Sequence, residues 1–259
     1  MNDAVRTEID SDTGIGTIVL SRPGQRNPLS STVMRQVTGA LRSLSTHPAV
    51  RAVVITAEGP VFSAGHDLSE MIGRTLDEEQ AVFDVCVEMM DAVQQIPQPV
   101  IAAVQGPAIA AGCQLAASCD LVVASESAVF GTPGVRIGLF CSTPMVALSR
   151  AVGRKRAMQM LLTGDTISAA TAADWGLVNL VVPPEELNDQ VRTLATRITS
   201  ASPLTLQIGK QAFYRQIDLP QDRAYSAMAE TMASNAVTCD AQEGMTAFLE
   251  KRPPVWRGA

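Results

Sequence analysis

Val100-Ile101-Ala102-Ala103-Val104-Gln105-Gly106-Pro107-Ala108-Ile109-Ala110-Ala111-Gly112-Cys113-Gln114 carries the signal on which the fold turns. Its first five residues are apolar without alternation, the pattern of a strand buried on both faces of a sheet. Gly106-Pro107 ends the strand, and the small residues around Ala111 open a helix. A strand, a glycine turn and a helix start gather unpaired backbone N–H groups at the positive end of a helix dipole. Glycine lets that backbone approach a ligand closely.

Outward from this stretch, short apolar runs alternate with helical ones. Thr17–Leu20, Ala52–Thr56, Leu121–Ala124, Val129–Phe130 and Val178–Val182 read as strands. Ser30-Ser31 caps a helix to about Leu44, with Val33, Val37, Leu41 and Leu44 at helical spacing. Asp77 opens a second helix, closed by Pro97 and Pro99. Further helices are expected over 143–152, 155–162 and 169–175, the last capped by Ser168. From Glu185 onward only helices are expected, over 185–200, 203–217, 221–235 and 240–250. The order is that of an α/β core, residues 1–200, followed by a C-terminal helical region, residues 201–259. No tandem repeat of fixed residue period is visible. The segments alone do not choose between a doubly wound sheet and other α/β arrangements.

A chain of 259 residues with 46% hydrophobic and 18% charged residues can bury a sizeable core. Its net charge of −6 argues against a nucleic-acid surface. No apolar stretch is long enough for a membrane span, and none is a secretory signal. The acidic start Met1-Asn2-Asp3 fits a mitochondrial leader poorly, so a cytoplasmic location is expected. Five cysteines without a C-x-x-C pair suit a reducing compartment. With only two histidines, His47 and His66, no metal site is expected.

A second glycine turn, Phe62-Ser63-Ala64-Gly65-His66-Asp67-Leu68, lies upstream, and Phe130-Gly131-Thr132-Pro133-Gly134 downstream. Together these motifs resemble the crotonase (enoyl-CoA hydratase/isomerase) superfamily, and the resemblance covers nearly the whole chain. It implies a spiral of ββα repeats with a C-terminal helical region for trimerisation and coenzyme A contact, assembled as a homotrimer or hexamer. It implies an acyl-CoA thioester as substrate, with coenzyme A as part of that substrate and no separate cofactor. The backbone N–H groups matching His66 and Ala111 would stabilise a thioester enolate. Ala64, Gly65, Asp67, Leu68, Ala110 and Gly112 would surround the bound substrate. Arg22, Arg26, Phe248 and Lys251 would hold coenzyme A. The detailed pattern, including Gly138-Leu139-Phe140-Cys141-Ser142, resembles a branch named for its domain rather than for a reaction.

The chemistry departs from the family. Hydratases carry glutamates where this chain has Gln114 and Gly134. Glutamine hydrogen-bonds but does not exchange protons near neutral pH, and glycine is expected to leave a void. Loss of a general acid or base costs ~10²–10⁴ in rate. Cys141 is one candidate replacement, provided that nearby dipoles lower its thiol pKa; Cys113 and Cys119 are expected in the core. The ring of His66 is another candidate. Asp67 is expected to order its loop. Water or bicarbonate in the Gly134 void is a third possibility. Met71, Ile72, Met89, Met90 and Met145 are either acyl-tunnel or core residues. An enzyme with an unusual base and a catalytically degenerate acyl-CoA-binding protein both remain open.

Overall fold

The buried apolar runs pair as parallel strands, and the chain returns between them through helices. In the computed structural model, which describes residues 4–259, the order is as follows. β1 (Val5–Asp10) and β2 (Ile15–Leu20) lead to α1 (Ser31–Thr46), and β3 (Ala52–Ala57) leads to α2 (Leu76–Gln95). β4 (Val100–Val104) and β5 (Ala108–Ile109) lead to α3 (Ala111–Ser118). β6 (Leu121–Ser125) and β7 (Val129–Gly131) lead to α4 (Pro144–Val152) and α5 (Arg154–Thr163). β8 (Thr166–Ser168), α6 (Ala169–Trp175) and β9 (Leu180–Val182) complete the sheets. α7 (Leu187–Thr199), α8 (Pro203–Gln216), α9 (Gln221–Ala236) and α10 (Cys239–Glu250) follow. The acidic start at Met1-Asn2-Asp3 lies outside the described residues.

A six-stranded sheet has the order β1-β2-β3-β4-β6-β9, parallel except for the β1–β2 hairpin. A second sheet, β5-β7-β8, has three strands. The two are linked strand by strand: β4 runs into β5 and then α3, β6 into β7 and then α4. Earlier passes do the same with single residues, since Ser63 bridges to Ala108 and Leu29 to His66. Each pass is therefore a strand, a second short strand or bridge, and a helix. That is the ββα spiral, and it excludes the doubly wound alternative.

The helices start where their caps dictate. The Ser30 hydroxyl accepts from the Val33 N–H, and α1 buries Val33, Met34, Val37, Leu41 and Leu44. Thr75 and Glu78 form a reciprocal capping box, so α2 begins one residue ahead of Asp77. α7 covers the other face of the large sheet, with Leu187, Val191 and Ala195 against Val54, Ile101 and Val123.

β1 was not expected. Its residues are mostly exposed and polar, so no apolar run marks it. β5 and β8, of two and three residues, are too short to show a period. Residues 178 and 179 precede β9 rather than belonging to it. Among the described residues, no helix is long and apolar enough to cross a membrane.

α8 is bolted to the core by a buried cation. Lys210 Nζ lies 2.8 Å from Asp120 Oδ2 and donates to the carbonyls of Val93 and Gln98. Asp120 also accepts from the Val100 N–H and the Tyr214 hydroxyl. Every partner is satisfied, which is the condition for keeping a charge inside.

Candidate functional site

The second sheet brings the two glycine turns together. Ser63 N–H donates to the Pro107 carbonyl, and Ile109 N–H donates back to the Ser63 carbonyl. The contact is backbone against backbone, and the glycines make it possible. A Cβ on Gly112 would sit 2.5 Å from the Ser63 carbonyl oxygen, and one on Gly106 2.0 Å from that of Pro60. Gly65 adopts φ 96°, and a Cβ there would lie 2.9 Å from Ala110 Cβ and 3.3 Å from the Ala111 nitrogen. His66 and Ala111 thus follow turns in direct contact.

Ala110 is strained. Its φ of 51° and ψ of −116° belong to a region that suits glycine. Such a conformation costs of order 1–3 kcal/mol and persists only when its surroundings enforce it. Here the Ala110 N–H donates to the Gly131 carbonyl, and the Ala110 carbonyl accepts from the Gln114 N–H. This kinked residue sets the orientation of the Ala110–Ala111 peptide. Ala111 is the first residue of α3, where an N–H has no acceptor within the helix. Among the described residues, neither its N–H nor that of His66 donates to a backbone carbonyl in the turns.

Both turns open on a cavity of about 860 Å³. Ala64, His66, Asp67, Leu68, Ala110, Ala111, Gly134 and Cys141 line it, with Arg26 from the preceding loop. That loop is organised by Asn27, whose side chain accepts from the Arg22 N–H and donates to the carbonyls of Glu58 and Val61. The sequence reading overlooked Asn27; its place between Arg26 and Pro28 was the available signal. It also overlooked Phe83 of α2, Arg136 and Ile137, which join Leu139 and Phe140 of the 138–142 stretch in the walls. Arg136 is paired with Asp165 and donates to the Thr163 carbonyl. Asp67 caps the helical turn at Leu68–Glu70, accepting from the Ser69 N–H at 3.1 Å and the Ser69 hydroxyl at 2.6 Å.

Other expected residues stand elsewhere. Gly65 and Gly112, although part of the turns, do not line the cavity. Gln114 is buried behind it as well, and its Oε1 accepts from the Cys86 thiol at 3.8 Å. Burial pushes the Cys86 pKa up to about 12, so that thiol remains a donor. Arg22, Phe248 and Lys251 are not in the cavity wall, and Phe248 is 82% exposed on α10. Met89 and Met90 are core, whereas Ile72 and Met145 are exposed; neither they nor Met71 line the cavity. Cys113 and Cys119 are buried, and the Cys113 pKa is pushed up to about 12 by desolvation.

Two chemical expectations are corrected. Gly134 leaves no void: a Cβ there would meet the Leu139 carbonyl oxygen at 2.1 Å and Cys141 Sγ at 2.8 Å. The loop after Gly138 folds its own backbone into the space, with the Leu139 N–H donating to the Gly134 carbonyl. Cys141 is not a lowered thiol either. Burial raises its pKa, and a backbone contact at Gly134 only partly opposes that.

His66 is set apart by its ring. Both imidazole nitrogens are sheltered from water and neither makes a well-formed hydrogen bond, although the Leu29 carbonyl lies near enough to favour the protonated ring. The ring meets Phe83 edge to face, with centroids 5.5 Å apart. Desolvation lowers its pKa below 6.5, against smaller opposing effects of the Leu29 carbonyl and Glu70.

Comparison with known proteins agrees with this architecture. The enoyl-CoA hydratase/isomerase family model matches residues 10–259, and the chain belongs to that family, the crotonases. It is similar to mitochondrial enoyl-CoA hydratase domain-containing protein 3 of rat, at 46% identity over 96% of this chain and 84% of that protein. Identity to the human counterpart is 48%, over 94% of this chain and 80% of that protein. The crystal structure of human enoyl-CoA hydratase domain-containing protein 3 superposes with a TM-score of 0.95 at 44% identity, covering 98% and 100% of the two chains. An enoyl-CoA hydratase from Mycobacterium smegmatis gives a TM-score of 0.96 at 44% identity, covering 98% and 99%. The expected branch of the family is thus the one found. The cytoplasmic location is corrected: the rat, zebrafish and human relatives are named as mitochondrial.

Proposed function

We propose that the cavity binds an acyl-CoA thioester and that the N–H groups of His66 and Ala111 hold its carbonyl oxygen as it becomes an enolate. Preorganised amides of this kind stabilise charge that appears only during reaction, and a water-poor site strengthens them. The observation that carries the reading is the contact between the two turns, which puts the Gly65 Cβ direction 3.3 Å from the Ala111 nitrogen. Coenzyme A enters as part of the substrate. Arg26 and, beyond the cavity wall, Arg22 are the cations this chain offers its phosphates. Phe248 and Lys251 reach coenzyme A when a second copy in a trimer or hexamer brings α10 to the cavity. Residues 201–259 are then the assembly region.

Ordinary hydration is not the reaction. Gln114 faces Cys86, the Gly134 position is filled by backbone, and the carboxylate of Asp67 is engaged by Ser69. With Asp67, tied to its loop through Oδ1, as the one carboxylate of the cavity wall among the described residues, a second reading is also favoured, an acyl-CoA-binding protein without turnover. Calorimetric titration with butyryl-CoA and a crotonyl-CoA hydration assay test the proposal. Butyryl-CoA should bind, and hydration should run at least ~10²-fold slower than in a two-glutamate relative. Absence of butyryl-CoA binding would sink the acyl-CoA assignment. Hydration at the relative's rate would sink the departure from it.

A further inference from the structure

We propose that the imidazole of His66 is the group that moves the proton at the thioester α-carbon, replacing the carboxylates absent at 114 and 134. The inference rests on the acyl-CoA reading of the same cavity. His66 lines that cavity, and its two ring nitrogens are buried without a well-formed hydrogen bond in the protein. A buried polar atom left unpaired costs about 1–3 kcal/mol, so an orphaned ring beside a ligand cavity points to a bond made with the ligand. Phe83 fixes one side of the ring. Both nitrogens are closed off as the ring stands, so reaching the α-carbon requires the ring to turn about its Cβ–Cγ bond, a broad torsion.

Other titratable groups of the wall are less suited. Asp67 is tied to its own loop through Oδ1, which accepts from the Ser69 N–H and hydroxyl, and Arg136 is tied to Asp165 and the Thr163 carbonyl. Arg26 is permanently charged. The thiol of Cys141 is kept protonated by its burial. A neutral imidazole has one donor and one acceptor nitrogen, as proton transfer in both directions requires. In the step, a ring nitrogen takes the α-proton. The C–H electron pair moves into the bond to the thioester carbon, and the carbonyl pair moves onto the oxygen held by the His66 and Ala111 amides. Return of a proton from the imidazolium restores the thioester, so no other reactant is consumed.

One experiment separates ring from backbone, because replacing the side chain leaves the residue-66 N–H in place. Butyryl-CoA is incubated in D2O with wild type, His66→Gln and His66→Ala, and deuterium at the α-carbon is read by mass spectrometry. Calorimetry measures binding of the same thioester. Wild type should exchange, and both variants should exchange at least ~10²-fold more slowly while still binding, the usual loss of a general base. Equal exchange in wild type and variants overturns the role of the ring alone. Wild type that binds butyryl-CoA without exchange overturns the enolate reading and this role with it. If the variants lose binding, the wild-type pH profile decides. The ring is faced by Glu70 from its own loop, by the Leu29 carbonyl and by uncharged Phe83 from α2, with Asp67, Arg26, Arg136 and Cys141 on the same cavity. Exchange should rise with pH through a midpoint below 6.5 and then level off, as neutral imidazole becomes the main form. A flat profile overturns the proposal.

Discussion

Gly134 shows how much a single missing side chain can decide. The Leu139 carbonyl and Cys141 sulfur stand where its Cβ would be, so any larger residue must displace backbone. Gly134→Ala should lower stability by ~1–3 kcal/mol, the usual cost of overpacking, measured by urea unfolding. Gly134→Glu should fail to restore hydration of crotonyl-CoA, since the loop that filled the space must first be expelled. A folded Gly134→Glu variant with hydratase activity would show that the loop yields easily. Gln114→Glu should fare no better, because its carboxyl would lie buried beside the Cys86 thiol and be held in the neutral form. The glycine turns were legible at this scale, because glycine and small residues have few other reasons to cluster so. The filling of the Gly134 position was not, because a backbone carbonyl from residue 139 leaves no trace in residue type. Nor did the sequence show that the ring of His66 would be buried without partners.

At the scale of elements, long-range polar contacts hold what apolar stripes do not. α8 buries little besides Lys210, so the ion pair to Asp120 is its chief bond to the sheet. Lys210→Met should cost ~3–5 kcal/mol by chemical denaturation, because it strands the Asp120 carboxylate inside. A loss well under 1 kcal/mol would mean that Tyr214 and the Val100 N–H suffice for Asp120. The chain after α10 is held by Glu243, which pairs with Arg252 and accepts from the Val255 N–H. Those contacts lower the Glu243 pKa from 4.5 to about 2. A carboxylate with a depressed folded-state pKa stabilises most above its unfolded value and loses that as pH falls through the folded one. Hydrogen exchange at the Arg252 and Val255 amides should therefore stay slow above pH 4.5, after correction for intrinsic rates, and quicken toward pH 2. Protection unchanged across that window would show that Trp256, which donates to the Ser200 carbonyl, holds the segment alone. Elements with a continuous apolar run or a capped stripe, such as β4 and α1, were readable in sequence. β1 was not, because its residues are stabilised by ladder bonds to β2 rather than by burial of their own side chains.

For the whole molecule, the segment pattern made the α/β class legible, while the spiral path of the chain was legible only through the family resemblance. Strand and helix order is the same in a doubly wound sheet and in a spiral. The difference lies in Leu29, Ser63 and Ala108, single residues whose pairings link successive passes. The same scale exposes an unfinished surface. α9 buries none of its residues within the chain, and Tyr225 and Met232 are largely exposed along it. Phe248 and Leu249 project from α10 at 82% and 79% exposure. Apolar side chains left open on consecutive helices suit association, since burial returns about 25 cal/mol for each Å² removed from water, and self-association is the outcome predicted for them. A second copy covering α9 and α10 would also deliver Phe248 and Lys251 to a neighbouring cavity. Sedimentation should give a multiple of the 27.4 kDa chain, three-fold or six-fold. Phe248→Glu with Leu249→Glu should shift that mass downward and weaken butyryl-CoA binding together, although neither residue lines the cavity of its own chain. If the mass falls and binding is unchanged, α10 serves assembly alone, and each chain holds its coenzyme A with Arg22 and Arg26. If the double variant keeps its mass, the copies meet elsewhere.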